Sequence, residues 1–396
     1  MQQNMLHKQR GGVMNSRYLI LQDGTFYKGI AFGSNALRKE EVLQLDDISP
    51  YVAEAVFNTS MCAYTEVLTD NSYNKQMVVM TNPHIGTYGC DPSWFQHMSD
   101  IPQIKGFIVK KLYRGTLFQE RLSIDQVCKN YLIPAIEGID TRALTIHLRD
   151  KGAMYGLFID EEHLNKQEIK EIQRRIQQVS PIESFDLITP CLHSKKIEEY
   201  GSTNSSTTVA LIDYGTKKGI VDQLVNRGVK VSIIPAPLFL DMSNKEIVKF
   251  DYLFLSNGPG DPRTLMLHIK KISSLFTLLP IRGICLGHQI INLALQNNVE
   301  KLKFGHHGSN HPVQNQFDKS IIITSQNHNY SVMTENLQST TKIWFTNLND
   351  QSIEGIIDEE HKVMSTQFHP EGHGGSHDAL HLFDIFLDKA SPICQK

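Results

Sequence analysis

The sequence lacks long hydrophobic runs, paired cysteines and an excess of charge of either sign. No apolar run approaches the roughly 20 residues that cross a bilayer, so we expect no membrane contact. The six cysteines form no C-x-x-C pair, which argues against a disulfide framework and a cysteine zinc site and favours a reducing cytoplasm. Lys plus Arg total 39 and Asp plus Glu total 42, so the formal charge of -3 gives no electrostatic reason to expect nucleic acid. These absences favour a small molecule or another protein as the partner.

Changes in composition divide the 396-residue chain into two domains. We expect a disordered leader at 1–14, a strand-rich α/β domain at 15–194, a polar linker at 195–207 and a second domain at 208–396. In the first domain, short β-like runs are separated by Gly, Asn and Pro turns, and the pattern at 161–178 predicts an amphipathic helix. Beyond the linker, strands that are apolar on both faces alternate with helices. This alternation predicts an α/β fold with a mainly parallel sheet covered on both sides.

A cysteine lies at a predicted turn between a strand and a helix. In GICLGHQ, residues 283–289, Cys285 follows the apolar strand IRGI and has a glycine two residues away on each side. Such small neighbours allow the tight turn on which hydrolases carry a nucleophile, and the helix N-terminus favours a thiolate there. The alternative is a buried cysteine that packs like alanine.

Two further motifs could complete a site around that thiol. In QFHPEG, His369 precedes a proline and is therefore expected to be extended, which directs Glu371 to the same side as a partner that orients the histidine. The alternative is a structural or surface histidine, since the chain has 17. SNGPGDP, residues 256–262, follows another core strand, and its glycines let backbone N–H groups approach a substrate. A plain tight turn is the alternative.

In this order, NGPGDP, GICLGHQ and HPE resemble the class I glutamine amidotransferase domain, from residue 208 to about 390. The amino-terminal domain is similar to one branch of that superfamily, the small subunits of carbamoyl-phosphate synthase. This second resemblance rests on FNTSMCAYTEVLTDNSY (57–73), NPHIGTYG (82–89) and GIDTRALTIHLRDKGAM (138–154), and also on KFGHHGSNHPV (303–313) in the second domain. Together the two resemblances cover nearly the whole chain.

The resemblance implies a catalytic triad that acts on L-glutamine. Cys285 would attack the side-chain amide carbon, and His369, steadied by Glu371, would protonate the departing ammonia. The backbone N–H groups of Gly258 and Leu286 would stabilise the oxyanion.

The resemblance also implies residues that hold the amino-acid end of glutamine, namely Ser60, Gly260 and Gln289. Ser60 could instead be a strand-end hydroxyl that caps a turn. Where the family has Q-N-H-G-F, this chain has QNHNY at 326–330, so Asn327 matches while Asn329 and Tyr330 replace glycine and phenylalanine. If this segment contacts glutamine through its backbone, we expect Asn329 to replace that glycine in a left-handed conformation, for which asparagine is the least costly replacement.

The partner implied by the resemblance is the large subunit of carbamoyl-phosphate synthase, which would receive the ammonia and serve pyrimidine or arginine synthesis. The chain contains no G-x-x-x-x-G-K-[ST] loop, so we expect ATP and Mg in that partner and no cofactor in this chain. Two alternatives are an amidotransferase subunit of the anthranilate synthase type, against which the FNTSM block argues, and a catalytically silent regulatory subunit.

Histidines recur at 369, 373, 377 and 381, which is a spacing that could bind zinc on a helix. Pro370 and the Gly374-Gly375 pair prevent one continuous helix, so only His377 and His381 are predicted to share a helix. We therefore expect no metal site in this series.

Overall fold

The computed structural model describes residues 16–118, 120–372 and 374–387. The predicted leader and His373 lie outside the described residues. The chain forms two compact units. The first unit comprises the described residues through Leu68, together with Lys75–Trp94 and Ile104–Ser184, and the second comprises Thr69–Asn74, Phe95–Gln103 and the described residues from Phe185 onward.

The first unit is built on a closed barrel. Its strands are β1 (Ser16–Leu21), β2 (Phe26–Gly33), β3 (Ala53–Asn58), β4 (Gln76–Met80), β5 (His84–Ile85), β6 (Gly106–Val109), β7 (Lys111–Leu112), β8 (Pro134–Glu137) and β9 (Met154–Asp160). The barrel order is β1-β2-β8-β6-β4-β3-β9, and β5 pairs with β7 separately. Apolar side chains of β1, β4 and β6 are almost wholly buried and fill this core.

Five helices accompany the barrel strands: α1 (Lys39–Gln44), α2 (Tyr64–Thr69), α3 (Ile124–Asn130), α4 (Thr141–Lys151) and α5 (Lys166–Gln177). The amphipathic helix predicted at 161–178 is α5, whose N-cap Asn165 accepts from two backbone N–H groups. It buries Ile169, Ile172 and Ile176, which lie on one helical face.

A buried ion pair joins the barrel strands. The Arg17 guanidinium donates to both carboxylate oxygens of Asp160, at 2.6 and 3.0 Å. It also donates to the carbonyls of Phe32, Ala135 and Ser34. Because every N–H-bearing nitrogen of this buried guanidinium has an acceptor, the pair is fully satisfied.

The second unit contains a ten-stranded sheet in the order β10-β12-β11-β13-β14-β19-β18-β16-β15-β17. Its strands are β10 (Glu198–Tyr200), β11 (Thr207–Asp213), β12 (Val229–Pro235), β13 (Tyr252–Leu255), β14 (Ile281–Ile284), β15 (Val299–Asn315), β16 (Ile321–Val332), β17 (Lys342–Asn347), β18 (Ile353–Asp358) and β19 (Val363–Thr366). Strands β12, β11, β13, β14 and β19 pair in parallel. The predicted α/β fold class is confirmed, with antiparallel strands flanking this parallel centre.

The helices of the second unit are α6 (Lys218–Asn226), α7 (Ala236–Asp241), α8 (Asn244–Ile247), α9 (Met266–Ser273), α10 (Leu286–Ala294) and α11 (Leu382–Phe386). The division between units falls between Ser184 and Phe185, ahead of the linker predicted at 195–207. Residues just before and within the predicted linker already contact the second unit. The backbone N–H of His193 donates to Asp213 at 2.7 Å, and β10 pairs with β12. Among the described residues, no helix is long and apolar enough to cross a membrane.

Candidate active site

Cys285 occupies a strained turn between β14 and α10. Its φ of 55° and ψ of -104° are unusual for a residue with a side chain, and such strain is typical of a nucleophile elbow. The neighbouring glycines are needed because there is no room for a methyl group. A Cβ on Gly283 would lie 2.6 Å from Ile291 Cδ1, and one on Gly287 would lie 2.3 Å from the Leu255 carbonyl oxygen. The sequence G-x-C-x-G therefore fixes a close approach of the helix to the sheet.

The Cys285 thiol is buried and hydrogen-bonded. Its Sγ–H donates to the Asn327 carbonyl at 3.4 Å, and the backbone N–H of Cys285 donates to Thr366 at 2.9 Å. Burial raises the pKa of the thiol well above its usual value, the Asp70 carboxylate raises it further, and the Lys217 ammonium only partly opposes them. Burial and the nearby carboxylates thus oppose the thiolate that the helix N-terminus favours, and the thiolate stays a prediction.

His369 and Glu371 form a buried pair. The His369 Nδ1 lies 2.7 Å from Glu371 Oε1, and both side chains are fully buried. Burial alone would raise the pKa of Glu371, but the His369 and Lys217 charges outweigh it and lower the pKa to about 2. Because Nδ1 donates to the carboxylate, Nε2 is the ring nitrogen left to act as a base. Within the described parts of the chain, Nε2 has no hydrogen-bond partner.

A lysine and an aspartate complete this buried charge cluster. Lys217 Nζ lies 3.1 Å from Asp70 Oδ2 and 3.6 Å from Glu371 Oε1, and all three side chains are buried. Burial lowers the pKa of Lys217, but the two carboxylates outweigh it and raise the pKa above the usual value. Asp70 also accepts a hydrogen bond from the Asn327 side-chain amide at 2.8 Å. Sequence reasoning missed both residues, since neither LTDNSY nor DYGTKKG has a catalytic signature.

The predicted oxyanion donors lie on two adjacent segments. The turn after β13 and the start of α10 are tied by a hydrogen bond from the Gly287 N–H to the Ser256 carbonyl at 3.0 Å. A Cβ on Gly258 would lie 2.4 Å from the Tyr214 carbonyl oxygen and 2.9 Å from Leu286 Cδ2, so only glycine fits. The Leu286 N–H faces the Cys285 sulfur and lowers the pKa of the thiol slightly against the larger opposing effects. Gly260, with φ of 97°, belongs to the same turn.

Strand β16 carries the segment QNHNY beside the thiol. The Gln289 amide of α10 donates to the Tyr330 carbonyl at 2.9 Å and to Gln367 Oε1 at 3.1 Å. His307 bridges two asparagines, with Nδ1 2.9 Å from Asn327 Oδ1 and Nε2 3.0 Å from Asn329 Oδ1. Sequence reasoning also missed His307.

One expectation for this segment is wrong. Asn329 is not among the described residues with positive φ, because it lies inside β16 rather than in a turn. It therefore replaces the glycine of the family without the left-handed backbone that we expected. Tyr330 is buried, and the Arg263 guanidinium lies over its ring at 5.5 Å.

Ser60 lies in the first unit, just after β3. Its backbone N–H donates to Asn58 Oδ1 at 2.8 Å, which is an Asx-type turn. Binding of glutamine by its hydroxyl stays a prediction.

The histidine pair predicted to share a helix does not. Helix α11 begins at Leu382, so His377 and His381 both precede it. His381 Nδ1 instead lies 2.9 Å from the Asp378 carbonyl oxygen, within a turn.

Comparison with known proteins adds two family models. The model described as "Carbamoyl-phosphate synthase small chain, CPSase domain" matches residues 19–158, and "Glutamine amidotransferase class-I" matches residues 210–389. The carbamoyl phosphate synthase small chain of Methanocaldococcus jannaschii is 39% identical, covering 93% of this chain and 97% of the relative. Those of Fusobacterium nucleatum and Staphylococcus epidermidis are 38% and 35% identical, covering 94% and 97% of this chain and 98% of each relative. The similarity thus extends across both units.

Proposed function

The chain belongs to the carbamoyl phosphate synthase small chain family, the glutaminase subunits of that enzyme, and we propose that its triad of Cys285, His369 and Glu371 hydrolyses glutamine. The observation that carries the proposal is a thiol on a strained elbow, in the same unit as a buried His–Glu pair whose outer nitrogen is unpartnered. A silent regulatory subunit would have no need for this arrangement. The anthranilate synthase type is disfavoured by the match over residues 19–158.

The chemistry follows from the protonation of the pair. His369 Nε2 takes the thiol proton as Cys285 attacks the amide carbon of glutamine, and the Glu371 carboxylate stabilises the resulting imidazolium. The N–H groups of Leu286 and Gly258 stabilise the oxyanion. As the C–N bond breaks, Nε2–H protonates the leaving nitrogen and ammonia departs. Water then attacks the thioester, with Nε2 as the base, to release glutamate and restore the thiol.

We assign the amino-acid end of glutamine to Ser60, Gly260 and Gln289, with Asn327, Asn329 and Tyr330 lining the β16 side. The Gln289 amide donates to the Tyr330 carbonyl and to Gln367 Oε1, so glutamine has to share or replace these contacts. The Asn327 carbonyl likewise accepts a hydrogen bond from the Cys285 thiol. Substrate binding therefore exchanges existing hydrogen bonds rather than filling an unpaired site.

We further propose that the ammonia passes to the large synthetase subunit, which makes carbamoyl phosphate from bicarbonate and ATP. Two features support a dependent subunit: the family to which the chain belongs, and a thiol whose pKa is raised by burial in the chain alone. We assign ATP and Mg to that partner and no cofactor to the triad chemistry. If docking of the synthetase subunit is needed to bring the Cys285 thiol and His369 Nε2 into contact, glutamine is not hydrolysed while no acceptor for the ammonia is present.

The experiment compares glutamine-dependent and ammonia-dependent carbamoyl phosphate synthesis by the reconstituted complex. Cys285→Ser should abolish synthesis from glutamine and leave synthesis from supplied ammonia, since only acyl transfer needs the sulfur. Cys62→Ser, which removes an exposed thiol, is the matched control and should leave both reactions unchanged. Glutamine hydrolysis by Cys285→Ser at the parental rate would refute the assignment of the nucleophile.

A further inference from the structure

Three strands of the second unit bring a set of metal-type ligands to one buried point. The pairing of β15 with β16 places His306 directly opposite His328, and Glu354 comes from β18. One ligand atom from each of these residues lies within 4.8 Å of the others. A fourth atom, Gln326 Oε1, lies 3.0 Å from His328 Nε2. Two nitrogens and one oxygen therefore converge, and a second oxygen lies beside one of these nitrogens.

Hydrogen-bond partners outside the cluster fix which imidazole nitrogens point inward as lone pairs. His306 Nε2 lies 2.8 Å from Asp350 Oδ2, and His328 Nδ1 lies 2.8 Å from the Tyr330 carbonyl oxygen. Both partners are acceptors, so these nitrogens carry hydrogen. In neutral rings, His306 Nδ1 and His328 Nε2 are then acceptors. Among the described residues, His306 Nδ1 forms no hydrogen bond, although Glu354 Oε1 lies 3.5 Å away.

The remaining two atoms are acceptors as well. Gln326 Nε2 donates to Glu354 Oε2 at 3.0 Å and to Thr324 Oγ1 at 3.1 Å, which leaves its oxygen turned towards His328. Glu354 Oε1 accepts from the Asn347 amide at 2.9 Å and lies 3.5 Å from His306 Nδ1. His328 and Glu354 are almost wholly buried, and buried acceptors that face one another are unfavourable without a cation between them.

We propose that His306, His328, Glu354 and Gln326 bind a divalent transition-metal ion, with Zn²⁺ the best match. Two imidazoles and two oxygens suit tetrahedral zinc, whose ligand atoms at about 2.0–2.1 Å from the ion lie roughly 3.4 Å apart. Glu354 Oε1 is 3.5 Å from His306 Nδ1 and 3.9 Å from His328 Nε2, close to that spacing, and the ligand atoms of these three residues all lie within 4.8 Å of one another. The Asp350–His306 hydrogen bond is the carboxylate–histidine arrangement that orients metal ligands.

The position of the site gives it a structural role. His328 lies between Asn327 and Asn329 in the sequence. The Asn327 carbonyl accepts a hydrogen bond from the Cys285 thiol, and the Asn329 side chain contacts His307. An ion there would cross-link β15, β16 and β18 behind the segment that faces the thiol. This role in glutamine binding rests on the proposed function, whereas binding of the ion does not.

The test is direct metal binding by the full chain carrying Cys285→Ser, which removes the catalytic thiol as a competing ligand. Calorimetry with Zn²⁺ should give one saturable site. Co²⁺ should give the visible absorption of a four-coordinate nitrogen and oxygen site, without a sulfur-to-metal charge-transfer band. The thermal midpoint should rise with Zn²⁺ and stay unchanged with Mg²⁺, since zinc prefers nitrogen ligands and magnesium oxygen ligands.

Variants distinguish Zn²⁺ binding at this site from binding at other histidines. Asp350→Asn changes a partly exposed side chain that does not touch the ion, and should weaken Zn²⁺ binding about 10–100-fold with the fold intact. Glu354→Gln should weaken binding by at least as much. The matched control, His377→Ala with His381→Ala, should leave it unchanged. The proposal is overturned if the folded chain shows no saturable Zn²⁺ or Co²⁺ binding, which would leave a proton as the occupant. A sulfur charge-transfer band, or binding that survives Asp350→Asn and Glu354→Gln unchanged, would also overturn it.

Discussion

Replacing Lys217 with methionine should destabilise the second unit strongly, and by an amount that depends on pH. The substitution keeps most of the side-chain volume but leaves Asp70 and Glu371, both buried, without their shared cation. Removing one partner of a buried ion pair costs about 3–5 kcal/mol. Lys217 is one of the charges that lower the pKa of Glu371, after the larger effect of His369, so the variant should lose part of that stabilisation.

The sign of the pH effect follows from the carboxylates. The pKa values of Asp70 and Glu371 are both lowered in the folded chain, so their contribution is present above the ordinary carboxyl pKa and is lost as the pH falls towards 2. In Lys217→Met these carboxyls lose the cation and protonate more readily. The difference in stability between the parent and the variant should therefore be largest near pH 7 and shrink as the pH falls towards 4.

The assay is thermal and urea unfolding followed by tryptophan fluorescence and circular dichroism, with the transition of the second unit analysed separately because two units need not unfold together. Lys217→Met with Asp70→Asn should recover part of the loss, because one uncompensated charge is removed. Lys218→Met is the matched control: Lys218 is half-exposed and pairs with Asp222, so it should change stability by about 0–1 kcal/mol. A Lys217→Met chain as stable as this control at pH 7, or a difference that does not vary with pH, would refute the reasoning.

Three further predictions test the elbow, the barrel and the thiol. Gly287→Ala places a methyl 2.3 Å from the Leu255 carbonyl oxygen, so it should cost about 1–3 kcal/mol in thermal stability and most of the glutaminase activity; an active, stable variant contradicts the packing argument. Arg17→Met leaves the Asp160 carboxylate buried without its partner and should cost about 3–5 kcal/mol in denaturant unfolding, while Arg17→Met with Asp160→Leu should recover much of that loss. Because burial raises the pKa of Cys285, iodoacetamide should alkylate it more slowly at pH 7.5 than exposed Cys62 in the chain alone, as mass spectrometry of the peptides can measure; equal or faster labelling of Cys285 contradicts the resting-thiol state.

Local chemistry explains what could be predicted from the sequence. The turn at Cys285 needs two glycines within five residues, and the pair of His369 and Glu371 is formed by residues two apart in an extended segment. Helix α5 likewise carries its cap and its apolar spacing within one short stretch. Each of these features depends on neighbours along the chain, so the pattern is complete in the sequence.

Lys217, Asp70 and His307 could not be predicted because their roles depend on distant residues. Asp70 meets Lys217 and Asn327 only through the folding of the second unit, to which the short segment Thr69–Asn74 belongs although the chain around it builds the first. His307 meets Asn327 through the register of β15 and β16. The error at Asn329 has the same origin, since strand pairing sets its backbone conformation.

The cluster of His306, His328 and Glu354 also depends on strand register. Regular spacing along the chain drew attention to the series from His369 to His381, whose members do not share a helix. The residues that do converge are spread over three strands, and cross-strand pairing, which follows no period in the sequence, brings them together. Histidine spacing along the sequence can thus predict a metal site on one helix, but it cannot predict a site formed across the strands of a sheet.

The resting state of the thiol connects the site to its regulation. The Cys285 thiol donates a hydrogen bond to the Asn327 carbonyl. His369 Nε2, the base in the proposed reaction, has no hydrogen-bond partner in the part of the chain that the structure describes. Proton transfer requires the thiol to exchange the carbonyl for the imidazole, and glutamine can drive this exchange only if its own contacts with β16 replace those that are lost. Since Asp70 holds the Asn327 side chain and His307 holds both Asn327 and Asn329, movement of β16 is opposed by three buried hydrogen bonds. Under the proposed function, a synthetase subunit that shifts β16 is therefore expected to release the thiol for His369 without contacting any member of the proposed triad.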